Sequence, residues 1–306
     1  MRKIGLLFSG QGSQNINMGL DLYQNFNTVK ELYDNYETIK NISFTSNIDE
    51  LNKTINTQPA LVLFHLAILR LIKQENIQFD ACAGLSLGEF STLVASEVLK
   101  ENEVMEIILK RATFMSDACK KYPSTLIALM SKDENLIYEV INILKQKNFN
   151  IEIANLNAYG QVVIGVSLLE KNDILDFIST TKVKAIPLNV EGAFHTSKMN
   201  DVEPKLKETL SNYTFSNEKV PIIFNNTGSL RNDENFVDLL SKQVNHTTYF
   251  YKSLQTMINM GINTFIEIGY NDIFKKIIKK LDKNITVLTL NSTETLNLLK
   301  EELKNE

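Results

Sequence analysis

The chain alternates between short apolar runs and longer stretches in which apolar residues recur at helical spacing. KIGLLFS (3–9) reads as a buried strand that ends in a glycine-punctuated loop, GQGSQ. A helix is expected over 18–37. TQPALVLFHLAILRLIKQ (57–74) is apolar almost all round, with Pro59 near its start, and reads as a buried helix. FDACAG (79–84) is a second buried strand. GEFSTLVASEVL (88–99) follows it as a helix, with Phe90, Leu93, Val94 and Glu97 at helical spacing. A further helix over 102–119 sets Val104, Ile108, Ala112 and Met115 on one face. Alternating strands and helices imply an α/β protein with a mainly parallel sheet.

Residues 123–190 have a different grain. STLIALMS, ENLIYEVINILKQK, FNIEIANL, GQVVIGVS, LEKNDILDFIST and KVKAIPLNV follow one another as strand, helix, strand, strand, helix, strand. That βαββαβ order is a ferredoxin-like unit. It is inserted, because strand–helix segments resume with PIIFNNT (221–227), DLLSKQV, YKSLQTMINMG, TFIEIG (264–269), DIFKKIIKKL and ITVLTL (285–290). The expected division is a large α/β subdomain over 1–122 and 191–306 with a small ferredoxin-like subdomain over 123–190. The tail KEELKNE is expected as a fraying helix end.

Composition narrows the partners. The 306 residues carry a net charge of −4, so no global basic field points to nucleic acid. The first apolar run is too short for a signal peptide, and 59–72 is interrupted by His65 and Arg70, so neither a membrane nor an export signal is expected. Cytoplasmic residence is expected. Two cysteines, Cys82 and Cys119, make no disulfide framework, and three histidines are too few and too scattered for a metal cage.

The candidate chemistry begins at Gly84-Leu85-Ser86-Leu87-Gly88. G-x-S-x-G between a strand and a helix is a nucleophile elbow, in which a tight turn lifts the serine clear and the helix N-terminus faces developing negative charge. The same five residues also fit an ordinary strand–turn–helix. A serine hydroxyl needs a base. His65 lies inside a buried helix and reads as a satisfied core residue. His246 sits among polar turn-formers and reads as surface. His195, in VEGAFHTSKM, follows the last strand of the insert, where a scaffold presents a functional loop. Asp117 and Asp133 look exposed, so a Ser86–His195 dyad without an acidic third member is expected, the imidazole being oriented by a backbone carbonyl. SGQGSQ lacks the third glycine of a dinucleotide fingerprint. Its expected use is a backbone N–H that completes an oxyanion hole beside the elbow.

Taken together, FSGQGSQ, GLSLGEFS, LKRATFM, ANLNAYGQVVIG, GAFHTSKM and SKQV occur in the order and spacing of the malonyl-CoA:acyl carrier protein transacylase family, which the chain resembles over about residues 3–290. The resemblance implies an α/β-hydrolase-like large subdomain around the ferredoxin-like insert. It implies transfer of a malonyl group from malonyl-CoA to the phosphopantetheine thiol of acyl carrier protein, for fatty acid synthesis, through a malonyl ester on Ser86. No bound cofactor is implied, malonyl-CoA being the substrate. It further implies His195 as base, the backbone N–H groups of Gln11 and Leu87 as oxyanion hole, Arg111 on the malonyl carboxylate, Phe194 as a pocket wall and the Gln243 carbonyl as the group orienting His195. Arg111 is one of only four arginines, in a chain whose usual cation is lysine. A planar fork binds carboxylate as lysine cannot, yet on pattern alone Arg111 reads as a surface residue at the edge of an apolar face.

Three departures from the family stand out: Leu85 where many relatives have histidine, NHTTYF without a proline after Gln243, and EIGYND in place of a Gly-Pro-Gly turn. Alternatives in the same frame are a trans-acting acyltransferase of a polyketide synthase, an acyl hydrolase, and a silent carrier-binding module. An acidic carrier would need a local basic patch. Lys275, Lys276, Lys279 and Lys280 share one helical face, which reads equally as a solvated face.

Overall fold

The computed structural model describes residues 2–304. Its strands are β1 Ile4–Phe8, β2 Ala81–Gly84, β3 Ser124–Met130, β4 Ile151–Ala158, β5 Gln161–Ser167, β6 Lys184–Pro187, β7 Ile222–Phe224, β8 Ser229–Leu230, β9 Thr264–Ile268 and β10 Thr286–Leu290. Six of them form one sheet in the order β10-β9-β1-β2-β7-β8, parallel except for the short β8 at its edge. β1, β2 and β9 are buried at every residue, as central parallel strands covered on both faces must be. The other four form an antiparallel sheet in the order β4-β5-β3-β6, and all four lie within 123–190. That order is the ferredoxin-like one. The architecture is therefore α/β, with a parallel sheet beside a separate antiparallel one.

The register of the central pair positions the site. Phe8 pairs with Gly84, so β1 and β2 end side by side and the loops leaving them start as neighbours. Ligand-binding groups in open parallel sheets gather at this carboxyl edge. The antiparallel sheet is tied to the segment before the Phe250–Asn259 helix through Thr248, whose N–H donates to the Ala154 carbonyl while its carbonyl accepts from the Leu156 N–H. A hydrogen bond of 2.6 Å from Asn155 Nδ2 to Thr248 Oγ1 adds to that seam, within the proline-free NHTTYF segment.

Several expected boundaries move. The helix expected over 18–37 is broken into Leu20–Asn25, Asn27–Asp34 and a third, Glu37–Thr45, because Phe26 is extended (φ −131°) and Tyr36 leaves helical geometry. The long buried helix starts at Thr54, three residues early. The Thr54 N–H is satisfied by the Glu191 carboxylate at 2.5 Å, a partner invisible to local sequence. Among the described residues it is the one helix long and apolar enough to cross a bilayer, and 89% of its most apolar window is buried inside the protein. The helix after the elbow stops at Ala95, and Glu97 sits exposed in a left-handed turn (φ 56°). There the Val98 and Leu99 amides both fold back onto the Leu93 carbonyl, and Ser96 Oγ bonds the Val220 carbonyl. The C-terminal segment is helical over Thr293–Lys304, and the last two residues of KEELKNE lie outside the described residues.

Candidate active site

Ser86 stands between β2 and the Gly88–Ala95 helix with a left-handed backbone, φ 54°. For a residue with a side chain this geometry costs about 1–3 kcal/mol and persists only where its surroundings hold it. Two neighbours do so. Asn225, just past β7, accepts from the Ser86 N–H at 2.8 Å and donates to the Gly84 carbonyl at 2.6 Å. Gly84 and Gly88 let the turn close: a Cβ on Gly84 would strike the Gly88 carbonyl, and one on Gly88 would strike the Phe8 carbonyl.

His195 reaches the serine from 109 positions along the chain, its Nε2 lying 2.8 Å from Ser86 Oγ. Its own backbone is left-handed (φ 63°), and its N–H donates to the Val244 carbonyl at 2.8 Å. Nδ1 is 2.7 Å from the carbonyl oxygen of Gln243. A carbonyl only accepts, so Nδ1 carries the proton and the Nε2 lone pair faces the serine hydroxyl. Burial pushes the imidazole pKa down to about 4. The Gln243 carbonyl opposes the shift and the Arg111 charge reinforces it. The ring is therefore a neutral, available base at neutral pH.

Arg111 is fully buried, which overturns the surface reading that its sequence pattern gave. The reason is tertiary: the long 54–74 helix packs across the Glu101–Lys121 helix, and polar side chains from three segments meet the guanidinium. Nη1 donates to Gln58 Oε1 at 2.6 Å, and Nη2 to Gln243 Oε1 at 2.9 Å and to Ser86 Oγ at 3.2 Å. Nε is buried with no hydrogen-bond partner. Burial lowers the Arg111 pKa to about 9, opposed by nearby Glu89, so the group stays cationic at neutral pH. Burial raises the Glu89 carboxyl to about 8, against a hydrogen bond from Gln243 Nε2 and the Arg111 charge. Gln243 Nε2 also bonds the Ser86 carbonyl at 2.8 Å.

A family model described as an acyl transferase domain matches residues 6–303. The chain belongs to the acyl transferase family. Among acyl transferases of curated description, the malonyl CoA-acyl carrier protein transacylase of Bacillus subtilis (strain 168) is 31% identical over 313 residues, covering 100% of this chain and 99% of the relative. The protein of that name from Staphylococcus aureus (strain MRSA252) is 29% identical over 301 residues, covering 96% and 97%. Among solved acyl transferase structures, the malonyl CoA-acyl carrier protein transacylase of Clostridium perfringens Atcc 13124 superposes with a TM-score of 0.91 at 29% identity, covering 99% of this chain and 98% of that one. MCAT from Streptococcus pneumoniae gives 0.88 at 31%, covering 98% and 100%.

The acyl transferase fold brings Ser86, His195, Arg111 and Gln243 into one hydrogen-bonded group. The Gln11 amide lies in the loop after β1 and the Leu87 amide at the N-cap of the helix after Ser86, and neither donates to another group among the described residues. Phe194 is buried in the large core cluster beside His195. Cys82 and Cys119 are free and buried. Leu85, the departure before the serine, packs on Gly10, where any Cβ would be 3.1 Å from its Cγ. In EIGYND, the Glu267 carboxylate accepts from the Phe274 and Lys275 amides at 3.0 and 2.9 Å, capping the next helix, while Asn271 and Asp272 make the left-handed turn.

Four contributions escaped the sequence reading: Gln58, Glu89, Asn225 and the side chain of Gln243. One signal was present. Paired asparagines directly after a buried strand, as in PIIFNNT, put polar side chains at the edge of the sheet where sites assemble.

Proposed function

We propose that this protein moves a malonyl group from malonyl-CoA to the phosphopantetheine thiol of acyl carrier protein, in fatty acid synthesis, with Ser86 as the carrier. The observation that carries the reading is the convergence on Ser86 Oγ of a neutral imidazole at 2.8 Å and a buried guanidinium at 3.2 Å. The first serves a nucleophile and the second a carboxylate. The whole-length likeness to proteins named malonyl CoA-acyl carrier protein transacylase supports the same substrates.

In the first half-reaction Ser86 Oγ attacks the thioester carbonyl as its proton passes to His195 Nε2. The oxyanion meets the amides of Gln11 and Leu87, each donor contributing on the order of 3 kcal/mol. Collapse breaks the C–S bond, His195 returns the proton to the departing coenzyme A thiolate, and a malonyl ester remains on Ser86. In the second half the carrier thiol gives its proton to His195 and attacks the ester, and Ser86 leaves with that proton. Every proton and electron pair is accounted for by serine, imidazole and the two thiols, so the chemistry calls for no metal or organic cofactor. Malonyl-CoA enters only as substrate.

Arg111 suits the malonyl carboxylate by the state of its fork. Leaving Nε buried and unpaired costs about 1–3 kcal/mol. Nε and Nη2 lie on the same edge of the guanidinium, and acylation of Ser86 removes the hydroxyl that Nη2 now bonds. A carboxylate accepting from both would take the bidentate geometry in which arginine excels. Cytoplasmic residence belongs to the same proposal and suits two free, buried cysteines. The test is intact-mass spectrometry after brief exposure to malonyl-CoA. Malonyl mass should appear on Ser86 and disappear on adding holo-acyl carrier protein. Hydrolysis without transfer would overturn the reading in favour of a hydrolase.

A further inference from the structure

His65 is a polar side chain at zero exposure in the middle of an apolar helix, and the dyad makes no use of it. Its ring is nevertheless bonded on both edges. Nδ1 lies 3.0 Å from Ser91 Oγ and Nε2 3.1 Å from Ser9 Oγ. Ser91 is on the helix whose N-cap is Leu87. Ser9 directly follows β1 and leads into the loop that holds Gln11. Its hydroxyl is 2.8 Å from Ser13 Oγ, and Ser13 Oγ is 2.8 Å from the Gly10 carbonyl, so the two serines brace the turn around Gln11. One imidazole thus connects the two elements that carry the candidate oxyanion donors.

We propose that His65 is a positioning residue that sets the separation of the Gln11 and Leu87 amides by tying Ser9 to Ser91. The inference rests on the function proposed above and names a further residue of the same site. The lower limit of the separation is steric. The main chain of Ser9–Gly10 lies directly on that of Leu85–Gly88, so that a Cβ on Gly10 would be 2.8 Å from the Leu85 oxygen and one on Gly88 2.7 Å from the Ser9 oxygen. The upper limit is the His65 tie. A rigid five-membered ring fixes the span between two hydroxyls, whereas aliphatic side chains would bury the same volume with no such constraint. The rings of Phe8 and Phe64, at 5.5 and 6.0 Å, cover the imidazole. Burial holds it neutral, with one donor and one acceptor nitrogen, and a hydroxyl can answer either.

The test separates transition-state from ground-state binding in full-length protein carrying His65→Leu, His65→Gln, Ser9→Ala or Ser91→Ala. Three quantities are read: kcat for malonylation of Ser86, affinity for a pantetheine trifluoromethyl ketone that adds to Ser86 as a hemiketal anion, and affinity for a non-reactive thioether analogue of malonyl-CoA. His65→Leu should lower kcat and ketone affinity together by about tenfold, less than the 10²–10³ lost with an entire oxyanion donor. Thioether affinity should hold. His65→Gln, which still presents a donor and an acceptor, should recover part of the loss. Ser9→Ala and Ser91→Ala should each move kcat and ketone affinity in the same direction. Unchanged kcat and ketone affinity in folded His65→Leu overturns the proposal. So does the same result in both serine variants, should His65→Leu fail to fold, and so does an equal loss of thioether affinity. Wild-type protein that takes up no malonyl group would instead overturn the proposed function, and this inference with it.

Discussion

The main-chain oxygen of Gln243 accepts a hydrogen bond of 2.7 Å from His195 Nδ1, the ring position that a carboxylate takes in a three-membered triad. A carbonyl orients the ring and fixes its tautomer without adding negative charge. It stabilises the imidazolium less than an aspartate would, and burial then holds the pKa near 4. The acid limb of kcat/KM for malonylation should accordingly lie near pH 4. Activity should stay flat from neutrality to about pH 5 and fall tenfold per unit below 4. Stability behaves differently. The unfolded chain protonates both His195 and His65 from about pH 6.5 downward, whereas the folded chain resists until about 4 and 3. Folding stability should therefore weaken as pH drops below about 6.5. Stopped-flow acylation and thermal melts over one pH series distinguish the two. An acid limb at pH 6–7 would mean a solvated base.

Ser86→Ala should form no acyl-enzyme with malonyl-CoA, because among the described residues no other hydroxyl bonds His195 Nε2. His195→Ala should slow both acylation and transfer to the carrier, since the group that removes the first proton must return it. Rapid-quench measurement of each half-reaction decides. Slowing of the second half alone would assign His195 a different role.

Arg111→Ala should shift substrate choice rather than abolish chemistry. Malonyl loading loses a buried charge partner, an effect of about 2–5 kcal/mol, while acetyl loading never engaged it. The measured quantity is the malonyl-to-acetyl ratio on Ser86. Arg111→Lys should restore only part, since an ammonium cannot satisfy Gln58, Gln243 and a bidentate carboxylate together. A ratio equal to wild type would detach Arg111 from selectivity.

Asn225→Ala should loosen the elbow. It strips the Ser86 N–H and the Gly84 carbonyl of their partners, at a cost of about 1–3 kcal/mol. Urea unfolding reads that loss. Acylation should fall by up to about a hundredfold, as expected when a nucleophile is displaced by an ångström, with the acid limb unmoved because His195 is untouched. A shifted limb would place Asn225 among the groups that set the base.

Carrier docking offers a test on the surface. On the Ile273–Leu281 helix, Phe274, Ile277 and Ile278 are buried and all four lysines are exposed. Lys276 and Lys279 already bond backbone carbonyls of Asn271, Lys283 and Ile285. Lys275 and Lys280 are the better probes. Lys275→Glu with Lys280→Glu should weaken transfer to acidic carrier protein at low salt and leave self-malonylation as it was. Identical salt dependence in wild type and variant would return this face to ordinary solvation.

The one-dimensional pattern carried a good deal. Strand–helix alternation determined the parallel sheet, because a strand buried on both faces must be apolar throughout, as Ile4–Phe8 is. The βαββαβ order determined the second sheet, whose strand order follows from right-handed crossovers. Ser86 was legible because a sharp strand-to-helix turn has its own local requirement, glycine on either side. Tertiary structure decided what surrounds it. Arg111 reads as an edge residue by periodicity and is buried in fact, because Gln58 and Gln243, 53 positions before and 132 after it, accept from its two terminal nitrogens. Asn225 reaches Ser86 across 139 positions. Periodicity reports only whether a position faces oil or water, and a buried hydrogen-bonded group breaks that code. Its placement is compensated by single partners far along the chain, and the folded backbone alone determines where those partners meet.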